Sequence, residues 1–277
     1  MSKNLNHFQN IIDEAFGTES NVKNEFIFYL KEKLQFKDDD IYLNKEKILT
    51  DSEVSLVHNF IKKKKAGIPL DYIINSSKFY EEEFYVDHRV LIPRPETELL
   101  VDFINSYNFP KKIKILDAGT GSGCIGISIA LKNLNYDIYG SDRSLDALNV
   151  ASLNKNAFKI KNFSLICADW LSCFGENSFD VIISNPPYIT KNDEHLDRLI
   201  HEPYEALVAS DDGLADIKTI TEQSSKILKE GGMLIYEHGY NQSDQVNEIF
   251  NDFGFIDSKS IQDYQGINRI SYSFLTY

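Results

Sequence analysis

The first 61 residues of the chain carry apolar side chains at helical spacing, three or four residues apart. Three amphipathic helices are predicted, with apolar positions at Phe8, Ile11, Ile12, Ala15 and Phe16, then Val22, Phe26, Tyr29 and Leu30, then Val54, Val57, Phe60 and Ile61. Thr50-x-x-Glu53 has the form of a capping box at the start of the third helix. The lysines at 62–65, followed by Gly67, predict a solvated helix end favoured by the helix dipole. We therefore predict a small helical domain over residues 1–75.

The spacing of apolar residues changes near residue 76, where short apolar runs begin to alternate with helical stretches. A hairpin is predicted at 79–90, inside a linking segment that covers residues 76–92. Strands are predicted at 113–117, 136–141, 163–168, 179–184, 233–237, 255–261 and 269–275. Helices are predicted at 99–107, 124–131, 213–228 and 242–253. The alternation predicts an α/β domain over residues 93–277, whose last two strands form a hairpin at one sheet edge.

Asn185-Pro186-Pro187-Tyr188 follows the apolar run 179–184, at the carboxyl end of a predicted buried strand. Such strand ends are where α/β sheets bind ligands. Proline has no N–H and holds the residue before it extended, so this segment predicts a rigid corner rich in acceptors. Asn185 Oδ1 and the Pro186 carbonyl can accept both hydrogens of a planar –NH₂ group, and the Tyr188 ring can lie flat against it. The corner suits an amide or aromatic amine, although a proline turn that merely closes a strand has the same composition.

A glycine-rich loop, Gly119-Thr120-Gly121-Ser122-Gly123, joins the predicted strand 113–117 to the helix 124–131. Glycines allow a sharp turn and a close approach of the backbone to a ligand, and a helix N-terminus offers free N–H groups. The loop therefore predicts a nucleotide-type cradle. A dinucleotide fingerprint fits only in a register that begins four residues after Asp117 instead of at the turn itself. A tight strand-to-helix turn without a ligand is the structural alternative.

Two further predicted strands end in acidic residues. Asp142 follows the strand 136–141, at the spacing where a nucleotide fold places a carboxylate on both ribose hydroxyls. Asp169-Trp170 follows the strand 163–168, where a carboxylate can accept the adenine amino group and an aromatic ring can flank the base. Trp170 is the only tryptophan of the chain. Its alternative role is a core anchor beneath the sheet.

Composition narrows the possible partners. The chain has 277 residues, which is enough for an α/β domain and a smaller one. Its 29 Lys and Arg against 42 Asp and Glu give a formal net charge of −13. This excess of acidic residues disfavours non-specific binding to DNA or RNA, because such binding needs basic residues that contact the phosphates. A local basic patch or a basic protein partner stays compatible with it.

The cysteines and the N-terminus indicate the cellular compartment. Cys124, Cys167 and Cys173 form no CxxC pair and are odd in number. We expect Cys124 and Cys167 to be buried free thiols in a reducing compartment, and we expect no metal site. Residues 1–7 have no apolar signal core, and no apolar run approaches membrane length. We therefore expect a cytoplasmic protein without a membrane partner.

Several motifs together resemble the HemK/PrmC family of protein-(glutamine-N5) methyltransferases, over nearly the whole chain. The Asp-x-Gly-x-Gly-x-Gly pattern from Asp117 resembles the first motif of class I S-adenosylmethionine-dependent methyltransferases. Besides this loop and the corner at 185–188, the matching segments are Ile92-Pro93-Arg94-Pro95-Glu96-Thr97-Glu98, Glu202-Pro203-x-x-Ala206-Leu207, Glu237-x-Gly239-x-x-Gln242 and Asp263-x-x-Gly266-x-x-Arg269.

The resemblance implies a fold, a cofactor and a substrate. The fold would be Rossmann-like, with a mostly parallel seven-stranded sheet, an antiparallel last strand and a small N-terminal helical domain for substrate recognition. The cofactor would be S-adenosyl-L-methionine, contacted by Gly119, Thr120, Gly121, Ser122, Gly123, Asp142, Trp170 and Asn185, with Asp169 as the further acid derived above. The substrate would be the glutamine in the Gly-Gly-Gln loop of peptide chain release factors, which act in translation termination. Asn185, Pro186, Pro187 and Tyr188 would hold that glutamine.

Amide chemistry indicates how such a site would work. An amide nitrogen is a poor nucleophile, so hydrogen bonds to two acceptors must orient it and stabilise the charge that develops on it. A strong base is unnecessary, because an alkylated amidium loses its proton readily. Arg94, Glu96 and Glu98 would shape a lid, position the donor or form structural ion pairs.

Three alternatives stay open at the level of sequence. The first is an amino-group methyltransferase acting on a nucleic acid base, which the acidic charge disfavours. The second is a glutamine methyltransferase acting on a ribosomal protein. The third is a donor-binding module without catalysis, which would require a broken cradle or corner.

Overall fold

The computed structural model describes residues 4–17, 20–44 and 46–276. The chain divides into two compact units, Met1–Ser76 and Ser77–Tyr277. The expectation about the first seven residues falls partly on residues 1–3, which lie outside the described residues. In the described part of the chain, no helix is both long enough and apolar enough to cross a membrane.

The first unit is helical. Its helices are α1 (Leu5–Phe16), α2 (Asn21–Leu34), α3 (Asp51–Lys65) and α4 (Leu70–Ile74), with a π-helical turn at Asp39–Leu43 between α2 and α3. The apolar faces of the helices form one core, whose fully buried members include Leu5, Phe8, Ile12, Phe26, Leu30, Val57 and Phe60. The periodicity did not predict α4 or the π-helical turn, because both are about one turn long.

At the two ends of α3, the predicted capping box is confirmed and the predicted solvation of the lysine run is corrected. Glu53 N–H donates to Thr50 Oγ1 at 3.2 Å, and the Thr50 N–H donates to Glu53 Oε2 at 2.7 Å, so the predicted capping box forms. The lysine run at the other end is not wholly solvated. Lys64 is partly buried and forms an ion pair with Glu25 at 2.6 Å. Its Nζ also donates to the Ile68 carbonyl at 3.3 Å, which helps to end the helix.

The second unit begins with a short antiparallel hairpin and continues as an α/β fold. The hairpin pairs β1 (Ser77–Phe79) with β2 (Glu82–Phe84), so it starts earlier and is shorter than predicted. The remaining strands are β3 (Lys114–Ala118), β4 (Asp137–Asp142), β5 (Phe163–Cys167), β6 (Phe179–Ser184), β7 (Leu228–Glu237), β8 (Phe255–Gln262) and β9 (Asn268–Leu275). The helices are α5 (Glu98–Ser106), α6 (Cys124–Lys132), α7 (Leu145–Ala157), α8 (Ala215–Ile227) and α9 (Ser243–Asp252).

The large sheet has seven strands in the order β5-β4-β3-β6-β7-β9-β8. The pairs from β5 to β7 are parallel, and β9 runs antiparallel to both β7 and β8. This topology confirms the predicted mostly parallel, Rossmann-like sheet with an antiparallel last strand. The predicted terminal hairpin is also present, with β8 at the sheet edge.

The central strands are buried on both faces, as parallel strands covered by helices usually are. Ile115, Val181 and Ile183 belong to the core on one face, while Leu116 and Ile182 belong to the core on the other. In register, Ala118 of β3 lies between Ser141 of β4 and Ser184 of β6. The residues that follow these strands therefore meet at one edge of the sheet.

Cys167 corrects the expectation of two buried thiols. Cys124 is buried, whereas Cys167 and Cys173 are exposed. Cys167 is the last residue of β5, and β5 is an edge strand, so no neighbouring strand covers its outer side. An apolar run at a sheet edge does not require burial of its final residue.

Candidate active site

A cavity of about 450 Å³ opens at the carboxyl edge of the sheet. This volume is within the range of small-molecule binding sites. Of the residues predicted to contact the donor or the target amide, those lining it are Gly119, Thr120, Gly121, Ser122, Asp142, Trp170, Asn185 and Pro187. Gly123, Asp169, Pro186 and Tyr188 are not among its lining residues.

The glycine loop lies against Trp170. Gly119 has φ +75°, and a Cβ at this position would lie 3.0 Å from the Trp170 ring. Any larger residue would therefore crowd the ring. Gly123 instead serves as the N-cap of α6 and packs against Ile127 and Ala151, behind the cavity.

A buried carboxylate at the end of β3 holds the loop in place. Asp117 Oδ2 accepts hydrogen bonds from Thr120 Oγ1 at 2.6 Å and from the Gly126 N–H at 3.0 Å. Burial raises the pKa of Asp117 to about 6, against the opposing effect of these two hydrogen bonds. Asp117 thus links the loop to the first turn of α6.

Asp142 presents a carboxylate to the cavity with a fixed orientation. Its Oδ2 accepts from the Gly121 N–H at 3.0 Å, and its Oδ1 accepts from the Ser144 N–H at 2.9 Å. Burial raises the pKa of Asp142. Each carboxylate oxygen has a further lone pair for a hydrogen bond. The arrangement therefore fits a vicinal diol such as that of a ribose.

Trp170 lies between the cavity and the protein core. Its ring lines the cavity and also packs on the core formed with α8 and α9. Its indole N–H donates to Asp216 Oδ1 at 3.2 Å, and burial raises the pKa of that aspartate. Asp169 is exposed and lies outside the cavity lining, whereas Asp216 lines it. Asp216 is in the first turn of α8, far along the chain, and no motif pointed to it.

Asn185 belongs to a chain of hydrogen bonds that leads into the protein interior. Its Nδ2 donates to Thr97 Oγ1 at 3.1 Å, and Thr97 Oγ1 donates to Glu237 Oε2 at 2.6 Å. The other carboxylate oxygen, Glu237 Oε1, accepts from the Tyr188 hydroxyl at 3.0 Å. We call these four residues, Asn185, Thr97, Glu237 and Tyr188, the corner network. Thr97 and Glu237 belong to the matching segments 92–98 and 237–242, but the local sequence assigns them no role.

The corner leaves two acceptors without a donor. Within the described part of the chain, no group donates a hydrogen bond to Asn185 Oδ1 or to the Pro186 carbonyl. These are the acceptors proposed from the sequence for a planar –NH₂ group. Asn185 and Pro187 line the cavity, which places the corner beside the glycine loop and Asp142.

Tyr188 is held from behind the cavity. The charge on Glu237, together with burial, raises the pKa of the Tyr188 hydroxyl well above its ordinary value. Tyr188 therefore keeps its proton at neutral pH, and its hydroxyl donates to Glu237. Its carbonyl accepts from Gln242 Nε2 at 3.3 Å, and the same amide donates to the Asp212 carbonyl at 3.1 Å.

The segment Ile92-Pro93-Arg94 is joined to the 202–207 segment by a buried carboxylate. Glu202 accepts from the Ile92 N–H at 3.0 Å and from Arg94 at 2.5 Å. Arg94 lines the cavity. Glu98 accepts from the Tyr80 N–H at 2.8 Å and so fastens the start of α5 to the hairpin. Arg94 thus forms a structural ion pair, which was one of the possibilities considered, whereas Glu98 accepts a hydrogen bond from the backbone.

These features define a class of protein, because a mostly parallel sheet whose carboxyl edge carries a glycine loop, an acid and an acceptor-rich corner is the arrangement that the sequence resemblance implied for an S-adenosylmethionine-dependent methyltransferase. The family described as "Methyltransferase small domain" matches residues 95–212. A methyltransferase structure from Pyrococcus furiosus has a TM-score of 0.53 and covers 82% of this chain and 100% of that one, at 15% identity, which supports the fold.

Sequence relatives narrow the class to one family. A release factor glutamine methyltransferase from Coxiella burnetii is 36% identical over 233 residues, 83% of this chain and 84% of that protein. The release factor glutamine methyltransferase of Buchnera aphidicola subsp. Schizaphis graminum is 36% identical over 234 residues, 84% of this chain and 85% of that protein. The chain belongs to the release factor glutamine methyltransferase family, which confirms the resemblance found in the sequence.

Proposed function

We propose that this enzyme transfers a methyl group from S-adenosyl-L-methionine to the side-chain amide nitrogen of the glutamine in the Gly-Gly-Gln motif of peptide chain release factors. The observation that carries the proposal is the pair of acceptors, Asn185 Oδ1 and the Pro186 carbonyl, beside a cavity with a fixed diol-binding carboxylate. The names of the sequence relatives support the same substrate.

The residues around the cavity fit the methyl donor. The Asp142 carboxylate would accept both ribose hydroxyls, and the Trp170 ring would flank the adenine. The backbone of Gly119 and Gly121 allows a close approach, since neither residue has a side chain. Asp216 lines the cavity and Asp169 does not, so we propose that Asp216 accepts the adenine amino group with the oxygen that does not bind the Trp170 N–H.

The bound donor would supply an electrophilic methyl group on a positively charged sulfur. The chain itself would bind and orient the nucleophile. Asn185 Oδ1 and the Pro186 carbonyl would accept the two amide hydrogens, which fixes the direction of the nitrogen lone pair and stabilises the positive charge developing there. Tyr188 would pack beside the amide plane, held by Glu237. No side chain of the corner needs to remove a proton before the transfer.

The N-terminal unit is proposed as the platform that recognises the release factor. It has its own core and a separate set of internal contacts. We propose the domain limits as 1–75 for this platform, 76–92 for the linking segment and 93–277 for catalysis. The platform role requires that removal of residues 1–75 lowers turnover of an intact release factor much more than turnover of a short Gly-Gly-Gln peptide. Since the proposed substrate is a translation factor, we also propose that the enzyme works in the cytoplasm.

The proposed function is tested with a purified release factor, S-adenosyl-L-methionine and the full-length enzyme. Peptide mass spectrometry should find one added methyl group on the glutamine of the Gly-Gly-Gln motif. A release factor whose motif glutamine is replaced by alanine is the matched control and should gain none. Methylation of a ribosomal protein or of a nucleic acid base, with no methylation of the release factor, would contradict the proposal.

A further inference from the structure

Glu237 is a buried carboxylate that the proposed chemistry does not use directly. It ends β7 and is 1% exposed, and both of its oxygens accept from hydroxyl groups. Thr97 approaches Oε2 at 2.6 Å, and Tyr188 approaches Oε1 at 3.0 Å. A buried charge needs such partners, because an unpaired one would be strongly destabilising.

The direction of each hydrogen bond in the corner network follows from this carboxylate. Burial raises the pKa of Glu237, while the hydroxyls of Thr97 and Tyr188 donate to it and favour its ionised form. An ionised carboxylate only accepts, so the single hydroxyl proton of Thr97 points to Glu237. Thr97 Oγ1 can then offer only lone pairs to Asn185, 3.1 Å away. The Asn185 group that faces Thr97 must therefore be its –NH₂ end. As a result, Oδ1 is the end left for the substrate.

We propose that Glu237 is a positioning residue that acts through Thr97 to fix which end of the Asn185 amide faces the substrate. This inference rests on the proposed function, since it concerns the acceptor that Asn185 would offer to the target amide. If the terminal amide of Asn185 rotated so that Oδ1 and Nδ2 exchanged places, its –NH₂ group would face the –NH₂ group of the target. Two donors would then face each other. The same carboxylate holds the Tyr188 hydroxyl and so keeps its ring in place.

Replacement of Glu237 by glutamine reverses the polarity of the network. Glu237→Gln keeps an acceptor for the Tyr188 hydroxyl, but it can place an –NH₂ group against Thr97. Thr97 would then accept from residue 237 and donate to Asn185, which favours the inverted Asn185. Thr97→Val breaks the same link and keeps the carboxylate at position 237, although Glu237 Oε2 then loses its donor. Thr97→Ser is its matched control, because serine keeps a hydroxyl that both donates and accepts.

The experiment measures single-turnover methyl transfer to a release factor together with S-adenosyl-L-methionine affinity by calorimetry. We expect Glu237→Gln and Thr97→Val to slow transfer by about 10- to 100-fold, somewhat less than direct loss of a preorganised contact. Donor affinity should change less than about threefold in both, since neither variant removes a side chain assigned to the donor. Thr97→Ser should transfer methyl groups much faster than Thr97→Val.

A double-mutant cycle separates a positioning role from a merely structural one. If Thr97 acts through Asn185, Thr97→Val should add less than about twofold to the loss already caused by Asn185→Ala. The inference would be overturned if Thr97→Val slowed transfer by the same factor in the wild-type enzyme and in the Asn185→Ala variant. Wild-type rates in Glu237→Gln and Thr97→Val would also overturn it. A loss of donor affinity as large as the loss of rate would also overturn it, because it would indicate general damage. If the wild-type enzyme does not methylate the glutamine at all, the proposed function fails first and the inference falls with it.

Discussion

Gly213 lies so close to Tyr188 that a Cβ on the glycine would be 2.2 Å from the Tyr188 carbonyl oxygen. The glycine ends a run of three residues with positive φ, after Asp211 at +54° and Asp212 at +51°. Left-handed backbone is unfavourable for residues with a Cβ. This strained turn supports the corner from behind, next to the Gln242 amide that donates to the Tyr188 carbonyl.

Gly213→Ala should therefore lower stability and displace the corner. Gly254→Ala is the matched control, because Gly254 has the same φ of +83° but a Cβ on it would meet no atom within 4 Å among the described residues. We expect the control to lose about 1 kcal/mol in free energy of unfolding and Gly213→Ala to lose about 1–3 kcal/mol more. Urea unfolding measures both. Equal losses in the two variants would mean that the close contact with Tyr188 has no energetic consequence.

Asp142→Asn should weaken S-adenosyl-L-methionine binding. The amide keeps one acceptor oxygen but cannot accept from both ribose hydroxyls while it also binds Gly121 and Ser144. A hydrogen bond to a charged group contributes about 1.5–3 kcal/mol, so affinity should fall by roughly 10- to 150-fold. Calorimetry on the folded variant measures this, and unchanged affinity would remove Asp142 from the donor site.

Substitutions of Asp216 and Asp169 should differ in their effect on donor affinity. Asp216→Asn can keep an acceptor for the Trp170 N–H, but it then turns an –NH₂ toward the adenine amino group. We expect a clear loss of donor affinity in Asp216→Asn, of about tenfold or more. Asp169→Asn should bind the donor like the wild type. A larger loss of donor affinity in Asp169→Asn than in Asp216→Asn would support the role that the sequence predicts for Asp169.

The raised pKa of Asp117 predicts a specific dependence of stability on pH. Its pKa is about 6 in the folded protein against 3.8 in the unfolded chain, so between these values the folded state binds more protons. The free energy of unfolding therefore falls as pH rises from about 4 to 6, by at most about 3 kcal/mol from this group. Asp117→Asn removes that slope. Unfolding curves at several pH values should show the variant gaining stability relative to the wild type over this interval, and parallel profiles would contradict the assignment.

The sequence was sufficient to predict the features that depend on neighbouring residues. Apolar runs predicted the strands. The residues that follow those runs predicted that the glycine loop, Asp142 and the corner at 185–188 lie at strand ends. Parallel topology then brings consecutive strand ends to one edge, so these predictions converge on the same cavity.

The features that escaped prediction depend on contacts between distant segments. Thr97 and Glu237 are 140 residues apart, and nothing in their local sequence indicates that they share a hydrogen bond. The choice between Asp169 and Asp216 likewise depends on where α8 begins relative to Trp170, which sequence spacing does not determine. The exposure of Cys167 follows from the position of β5 at the sheet edge, and strand order is a property of the whole fold.

The central claim is that Asn185 holds the target amide for methyl transfer, and the rate of Asn185→Ala tests it most directly. Single-turnover transfer to a release factor should slow by about 10²–10³, because one of two preorganised acceptors is lost. Donor affinity, measured by calorimetry on the same sample, should fall little or not at all. Transfer at the wild-type rate would contradict the claim, and the corner would then be only a turn that ends β6.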